Sequence, residues 1–365
     1  MRRLAVGVVI LLVLAAAGTT QEPTGPLLKP NDRVAFVGSS STAIGVWPKT
    51  LQFLLRTRHP EMKLDFKSYT TGGGTFATGL GRLDPWFHAP WLDDFKPTVV
   101  LFNYGGNDAG AGEKGLAQFK ANIVACVEQV KKRNARWILM THQASDVRKS
   151  GEAPAARRKL YAEALLAFAK EKGWPAIDVF HPIDALQAAG QADDDAYTIL
   201  KDTIHLTDAA YIAWGYFLFE RLGLTVPTSR AVLTANGEVT KTDGCKVEDA
   251  KATDAGVTFT RRDAVLPLLP PVPLPPRKHV PMEKLSPYLL QVTGLPAGKY
   301  EVRCEGAVVG SASDKELSAG VNLNALLLDA GGKAPWEAQA RDWWQGKGLD
   351  AIGTTAWRFE VRRVP

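Results

Sequence analysis

Three cysteines in 365 residues are too few for a disulfide framework. No uninterrupted apolar run reaches the roughly 20 residues that a membrane-spanning helix needs. The six histidines show no H-E-x-x-H or other compact zinc spacing, so neither a metal nor any other cofactor is implied. G-x-S-x-G is absent, which argues against the nucleophile elbow of an α/β-hydrolase. Gly38-Ser39-Ser40-Ser41-Thr42 lacks the lysine of a Walker loop, and the glycines of residues 72–79 do not follow the dinucleotide fingerprint G-x-G-x-x-G. The net charge of +6 is spread along the chain in pairs such as Lys131-Lys132 and Arg261-Arg262. Pairs of that kind are solvated faces, so a nucleic-acid partner is not expected.

What is present can fold. With 45% hydrophobic and 22% charged residues the chain can bury a sizeable core. Arg2 and Arg3 precede the apolar run Leu4 to Ala17, and small residues follow. That is the layout of a secretory signal over residues 1–20, and it predicts a secreted or periplasmic protein with no stable membrane insertion after cleavage.

From Asn31 to Leu224 strand-like and helix-like stretches alternate, as in a parallel sheet with crossover helices. Strands are expected at Val34–Val37, Leu64–Ser68, Val99–Asn103, Trp137–Thr141 and Ala176–Val179. Helices are expected at Trp47–Thr57, Gly115–Arg133, Ala155–Lys172 and Thr207–Leu222. The fold class is therefore α/β, a three-layer α/β/α, flavodoxin-like sandwich. In the strand order 2-1-3-4-5, strands one and three are neighbours at the topological switch point, where such sheets bind ligands.

Beyond Leu224 the texture changes, and residues 225–365 read as a small β-rich domain. Asn236-Gly237 and Asp243-Gly244 are hairpin signals. The proline-rich run 266–276 can be neither helix nor central strand and is expected to be an extended connection. Tyr288 to Gly310 alternates like two strands around a Leu-Pro-Ala-Gly turn, and a helix at Trp336–Trp343 and a strand at Ala356–Val361 complete the set. Cys126 lies on the apolar side of its helix and reads as a packed thiol. Cys245 and Cys304 both fall in this second half, where export would permit them to pair.

Four polar stretches stand at the ends of the expected elements: Gly38-Ser39-Ser40-Ser41-Thr42, Thr70 to Thr75, Asn103 to Asp108, and Asp202-Thr203-Ile204-His205. In order they resemble the sequence blocks of the SGNH hydrolases, the GDSL-type esterases and lipases, with Ser40, Gly73, Asn107 and His205 at the four naming positions. The second half resembles, more loosely, the accessory β-domain of exported bacterial members.

The resemblance implies a serine esterase: Ser40 as nucleophile, His205 as base, Asp202 as its orienting acid, and an oxyanion hole from the amides of Ser40 and Gly73 and the side chain of Asn107. The residue types suit those tasks. A serine hydroxyl needs a base that is itself oriented, Gly73 lets backbone approach substrate without a Cβ, and Asn107 supplies a donor that cannot titrate away.

One position departs from the family, because Ser39 stands where an aspartate usually precedes the nucleophile. That leaves open an exported carbohydrate-binding or structural protein on an inactive scaffold. The aromatic stretch Asp84 to Phe95, with Trp86, Phe87, His88 and Trp91, suits a sugar, an acyl chain or an aryl group, or simply a packed loop. The expected partner is a small-molecule or polysaccharide ester, an acetylated carbohydrate first and a short-chain lipid ester second.

Overall fold

The computed structural model describes residues 25–80, 94–265, 268–331, 335–348 and 353–365. The expected signal over residues 1–20, and Trp86, Phe87, His88 and Trp91, lie outside the described residues. In the first half the elements are β1 (Arg33–Gly38), α1 (Ser40–Ala43), α2 (Val46–Arg58), β2 (Asp65–Thr70), α3 (Phe76–Leu80), β3 (Val99–Asn103), α4 (Leu116–Lys131), β4 (Arg136–Met140), α5 (Val147–Ser150), α6 (Glu152–Lys172), β5 (Ala176–Ile177), α7 (Phe180–Asp193) and α8 (Asp208–Glu220). The sheet order is β2-β1-β3-β4-β5, and every pairing is parallel.

Residues alternate across this sheet and feed two cores. Val34, Phe36, Leu101 and Ile138 pack on one side with Trp47 and Leu51 of α2 and Trp214 and Leu218 of α8. Ala35, Val37, Val100 and Phe102 pack on the other with Phe119 and Ile123 of α4 and Tyr161 and Leu165 of α6. The result is the three-layer sandwich expected from the sequence. Helix α7 was not anticipated; Phe180, Ile183 and Leu186 bury its apolar stripe in the first core.

The second half holds β6 (Ser229–Thr234), β7 (Val239–Asp243), β8 (Cys245–Thr253), β9 (Gly256–Asp263), β10 (Tyr288–Thr293), β11 (Lys299–Cys304), β12 (Ala307–Ser313), α9 (Asp314–Ala319), β13 (Val321–Asn322), α10 (Leu323–Asp329), α11 (Glu337–Trp344) and β14 (Ala356–Arg363). They form two sheets, ordered β13-β10-β6-β7 and β12-β11-β14-β9-β8. Leu233, Leu290 and Val292 of the first share a buried core with Phe259, Val302 and Phe359 of the second. Inside it, Arg261 and Asp263 form a fully buried ion pair at 2.9 Å, and Tyr288 donates to Asp263 at 2.9 Å.

Both strands expected around the Leu-Pro-Ala-Gly turn are present, β10 adding to β6 in one sheet and β11 joining the other. One possibility closes here. Cys245 and Cys304 are free thiols. They sit on β8 and β11, with β14 and β9 between them. Three interstrand spacings come to about 14 Å, twice the reach of a disulfide.

The proline-rich stretch has no regular structure over its described residues and lays Leu269, Val272 and Leu274 against the first core. Arg58, at the end of α2 and 1% exposed, donates to Leu285 O at 2.7 Å and also bonds Leu268 O and Ser286 Oγ. Burial lowers its pKa to about 9. Among the described residues no helix is long and apolar enough to cross a membrane.

Candidate functional site

The carboxyl ends of β2, β1 and β3 bring three of the four stretches together. Gly38 closes β1, and a Cβ there would come within 2.2 Å of Thr42 Oγ1 and 2.9 Å of Asn103 O, so only glycine lets the chain turn this tightly. Thr71 N–H bonds Gly38 O at 3.1 Å, which ties the end of β2 to the same turn. Ser40 is the first residue of α1, so its amide is one of those that a helix start leaves without an intrahelical acceptor. Below it, Thr42 donates to Asn103 Oδ1 at 3.1 Å, and Asn103 Nδ2 donates to Thr141 O at 3.3 Å. These buried bonds stitch the ends of β1, β3 and β4.

The fourth stretch arrives from the loop before α8. Leu200 and Leu206 bridge across it, and the Thr207 hydroxyl caps α8 by accepting from Ala210 N at 3.2 Å. Within the loop Asp202 Oδ1 accepts the amides of Ile204 and His205, each at 2.7 Å. Its Oδ2 lies 2.9 Å from His205 Nδ1, and His205 Nε2 lies 3.0 Å from Ser40 Oγ.

An ionised carboxylate only accepts, so Nδ1 carries the imidazole proton and Nε2 is left to accept from the serine hydroxyl. The His205 amide, the His205 ring and the Ile204 amide hold the Asp202 carboxyl well below the usual carboxylate range. The arrangement can draw a proton from Ser40 Oγ and stabilise the charge that then develops on the imidazole.

Gly73 lies in an exposed turn at φ +72°, with open space where a Cβ would be. Asn107 donates from Nδ2 to Gly74 O at 2.9 Å, which fastens it to this glycine turn and leaves its second amide hydrogen for another acceptor. Asp108 makes the fastening rigid: Oδ1 accepts Phe76 N at 3.2 Å and Oδ2 accepts Gly105 N at 3.0 Å. Burial pushes the Asp108 carboxyl up to about 6.

Ser39 occupies the cap of α1, yet its side chain makes no capping hydrogen bond. Among the described residues no cluster of three or more His, Cys, Asp or Glu could hold a metal.

Sequence reasoning passed over Gln143, which accepts from Ser41 Oγ at 3.2 Å and donates to Ile204 O at 3.1 Å. It also passed over Asn103 and Asp108 as supports. No local pattern marks them: apart from Gly105, which Asp108 meets three residues away, their partners are 32 to 102 residues away. Ile44, whose amide bonds Ser40 O at 2.9 Å, and Ile204, which precedes His205, are 44% and 39% exposed. A paired Asp178 and His181, 2.7 Å apart, repeats the D-x-x-H spacing at the end of β5 with no serine hydroxyl bonded to it.

Residues 36–213 match the model of the GDSL-like lipase/acylhydrolase family. No curated protein sequence matches the chain. Among solved structures, a gut microbial diltiazem-metabolizing enzyme is similar at TM-score 0.70 and 22% identity, over 89% of this chain and 78% of that one. At that identity the likeness is one of fold. Axe2, an acetylxylan esterase from Geobacillus stearothermophilus, aligns at TM-score 0.44 and 17% identity over 54% of this chain and 96% of its own.

Proposed function

Residues 36–213 are a GDSL-like lipase/acylhydrolase domain, which makes the chain a hydrolase of ester bonds, and from that premise we propose a serine esterase in which Ser40, His205 and Asp202 act as the triad. The observation that carries this reading is the 3.0 Å contact of His205 Nε2 with Ser40 Oγ, backed by Asp202 at 2.9 Å. In the proposal His205 takes the Ser40 proton as Oγ attacks the ester carbonyl, and the imidazolium then gives that proton to the departing alcohol. Water repeats the sequence on the acyl-serine: His205 deprotonates it, the acid is released, and Ser40 regains its proton. Asp202, held ionised, steadies the imidazolium.

The developing oxyanion is received by the amides of Ser40 and Gly73 and by the second hydrogen of Asn107 Nδ2; one such donor is worth about 3 kcal/mol. The substrate we infer is an acetylated carbohydrate reached after export, with residues 31–224 as the hydrolase domain and 225–365 as an accessory β-rich domain. Exposed Ile44 and Ile204 favour a second reading, a short-chain lipid ester, because apolar surface at the rim suits an acyl chain.

The inactive glycan-binding alternative is weaker on two counts. The Ser40, His205 and Asp202 contacts are complete, and among the described residues of the second half no aromatic side chain is exposed for stacking on sugars.

A serine-reactive phosphonate and a panel of acetylated sugars and nitrophenyl esters test the proposal. The expected result is labelling at Ser40 that vanishes in Ser40→Ala and His205→Ala, together with turnover that Ser40→Ala abolishes in a folded protein. An unlabelled, folded parent that hydrolyses no ester would overturn it.

A further inference from the structure

We propose that Gln143 is a positioning residue that sets the separation between Ser40 and His205. The inference rests on the esterase reading for the roles of those two residues, but its geometry stands apart from that reading. Gln143 lies in the buried segment Thr141 to Asp146 that follows β4, and is itself 5% exposed. Its amide is oriented by its neighbours. A backbone carbonyl can only accept, so Nε2 must face Ile204 O, which leaves Oε1 for the Ser41 hydroxyl.

Each end of this bridge therefore lands one residue from a reacting group. Ser41 follows Ser40 at the start of α1, and Ile204 precedes His205. The two ends differ in how firmly they are otherwise held. Ser41 is 3% exposed and packed at the end of β1, whereas Asp202, Thr203 and Ile204 are exposed. Gln143 thus anchors the exposed loop to β4, while the Asp202 carboxylate holds the amide side of the same loop through Ile204 N and His205 N. With both faces of the 202–205 loop fixed, Nε2 has one place to stand, 3.0 Å from Ser40 Oγ.

Gln143 touches no reacting atom, so its loss acts on the proton transfer and not on substrate affinity. A displacement of about 1 Å in such a pair costs up to about a hundredfold in rate. Gln143→Met keeps length and volume while removing both hydrogen bonds. The Ile204 carbonyl, on an exposed residue, can then take a water, so the fold is retained.

The experiment uses the full chain and the variants Gln143→Met, Ser41→Ala and their combination. Three readouts are taken: kcat and KM on p-nitrophenyl acetate, the thermal midpoint, and the 15N resonances of the His205 ring. Gln143→Met is expected to lower kcat about tenfold to a hundredfold, with KM within about twofold and the thermal midpoint little changed. Ser41→Ala should show part of this loss. The double variant should be no worse than Gln143→Met, because both remove the same bridge. The Nε2 resonance should move in Gln143→Met as its bond to Ser40 lengthens.

Parental kcat in Gln143→Met, additive losses, or an unmoved Nε2 resonance would each overturn the inference. A parent inactive on every ester would instead refute the esterase reading, and the Nε2 resonance would then decide the fate of the bridge alone.

Discussion

Asp108→Asn separates charge from geometry at the support of Asn107. The carboxyl is raised from an ordinary 3.8 to about 6 by burial, against the pull of amides from Gly105 and Phe76. A rise of about two units is worth about 3 kcal/mol against the ionised form. Between those two values the folded chain keeps a proton that the unfolded chain has released, so the parent loses stability as pH rises through that window. The amide variant has no such titration. It carries a constant offset instead, up to about 1–3 kcal/mol, for the N–H left facing an NH2 group.

The offset does not depend on pH, so it cancels when the two proteins are compared across pH. The stability difference should move by about 2.5 kcal/mol in the variant's favour from pH 4 to pH 8. Urea midpoints of both proteins at one-unit intervals measure this directly. Titrations elsewhere in the chain are common to both and drop out. A difference flat within about 1 kcal/mol, or moving the other way, would refute the reasoning. At pH 8 the gain should come with lower kcat, since one of the two bonds through which Asp108 holds the Asn107 loop is gone.

Ser39→Asp should leave kcat/KM on p-nitrophenyl acetate equal or higher, because the cap of α1 now lacks a side-chain bond and an aspartate can supply one. The added carboxylate near His205 should move the pH–rate profile upward, and a tenfold loss of activity would count against this. Arg58→Met should cost about 3 kcal/mol in urea unfolding, because it strips Leu285 O, Leu268 O and Ser286 Oγ of a buried donor; a loss below about 0.5 kcal/mol would show that the two halves do not depend on it.

The first sheet was legible because its central strands β1 and β3, buried on both faces, are written as the unbroken apolar runs Val34–Val37 and Val99–Phe102. Parallel pairing then requires helices between them. Helix α7 was harder to see, since Pro182 in its first turn and the glycine at 190 look like breakers. In the second half, alternation identified the strands themselves. It could not choose their partners, because β10 pairs with β6 across 59 residues of sequence, Tyr288 opposite Ser229. Ser40, Gly73, Asn107, Asp202 and His205 were singled out because the four short polar stretches that hold them resemble the SGNH blocks. Gln143 and Asp108 were not, since Ser41, Ile204 and Phe76, which they hold, are brought near only by the fold.

Two helices also hold the Ser40 turn and the His205 loop relative to one another. α2 follows the Ser40 turn and α8 follows the His205 loop, and Trp47 stacks on Trp214 between them at 5.5 Å with the rings 9° from parallel. The helices approach so closely that a Cβ on Gly215 would lie 2.5 Å from the Thr50 Cβ. Ser41, Thr42 and Leu206 are buried between these anchors and the site, so the packing of the helix pair carries through to the placement of Ser40 and His205.

The second half also packs against α2, the helix that follows Ser40. Trp344 packs edge-on against Phe53 of α2 at 5.6 Å, and the far end of the same helix is held through Arg58 by the backbone of residues 268 and 285. If this packing serves the site, weakening it should loosen the nucleophile before it unfolds the sheet. Trp344→Ala should therefore slow phosphonate labelling of Ser40 at temperatures where circular dichroism still reports a native fold; labelling and fold lost together at one temperature would instead make the second half a stabilising partner only.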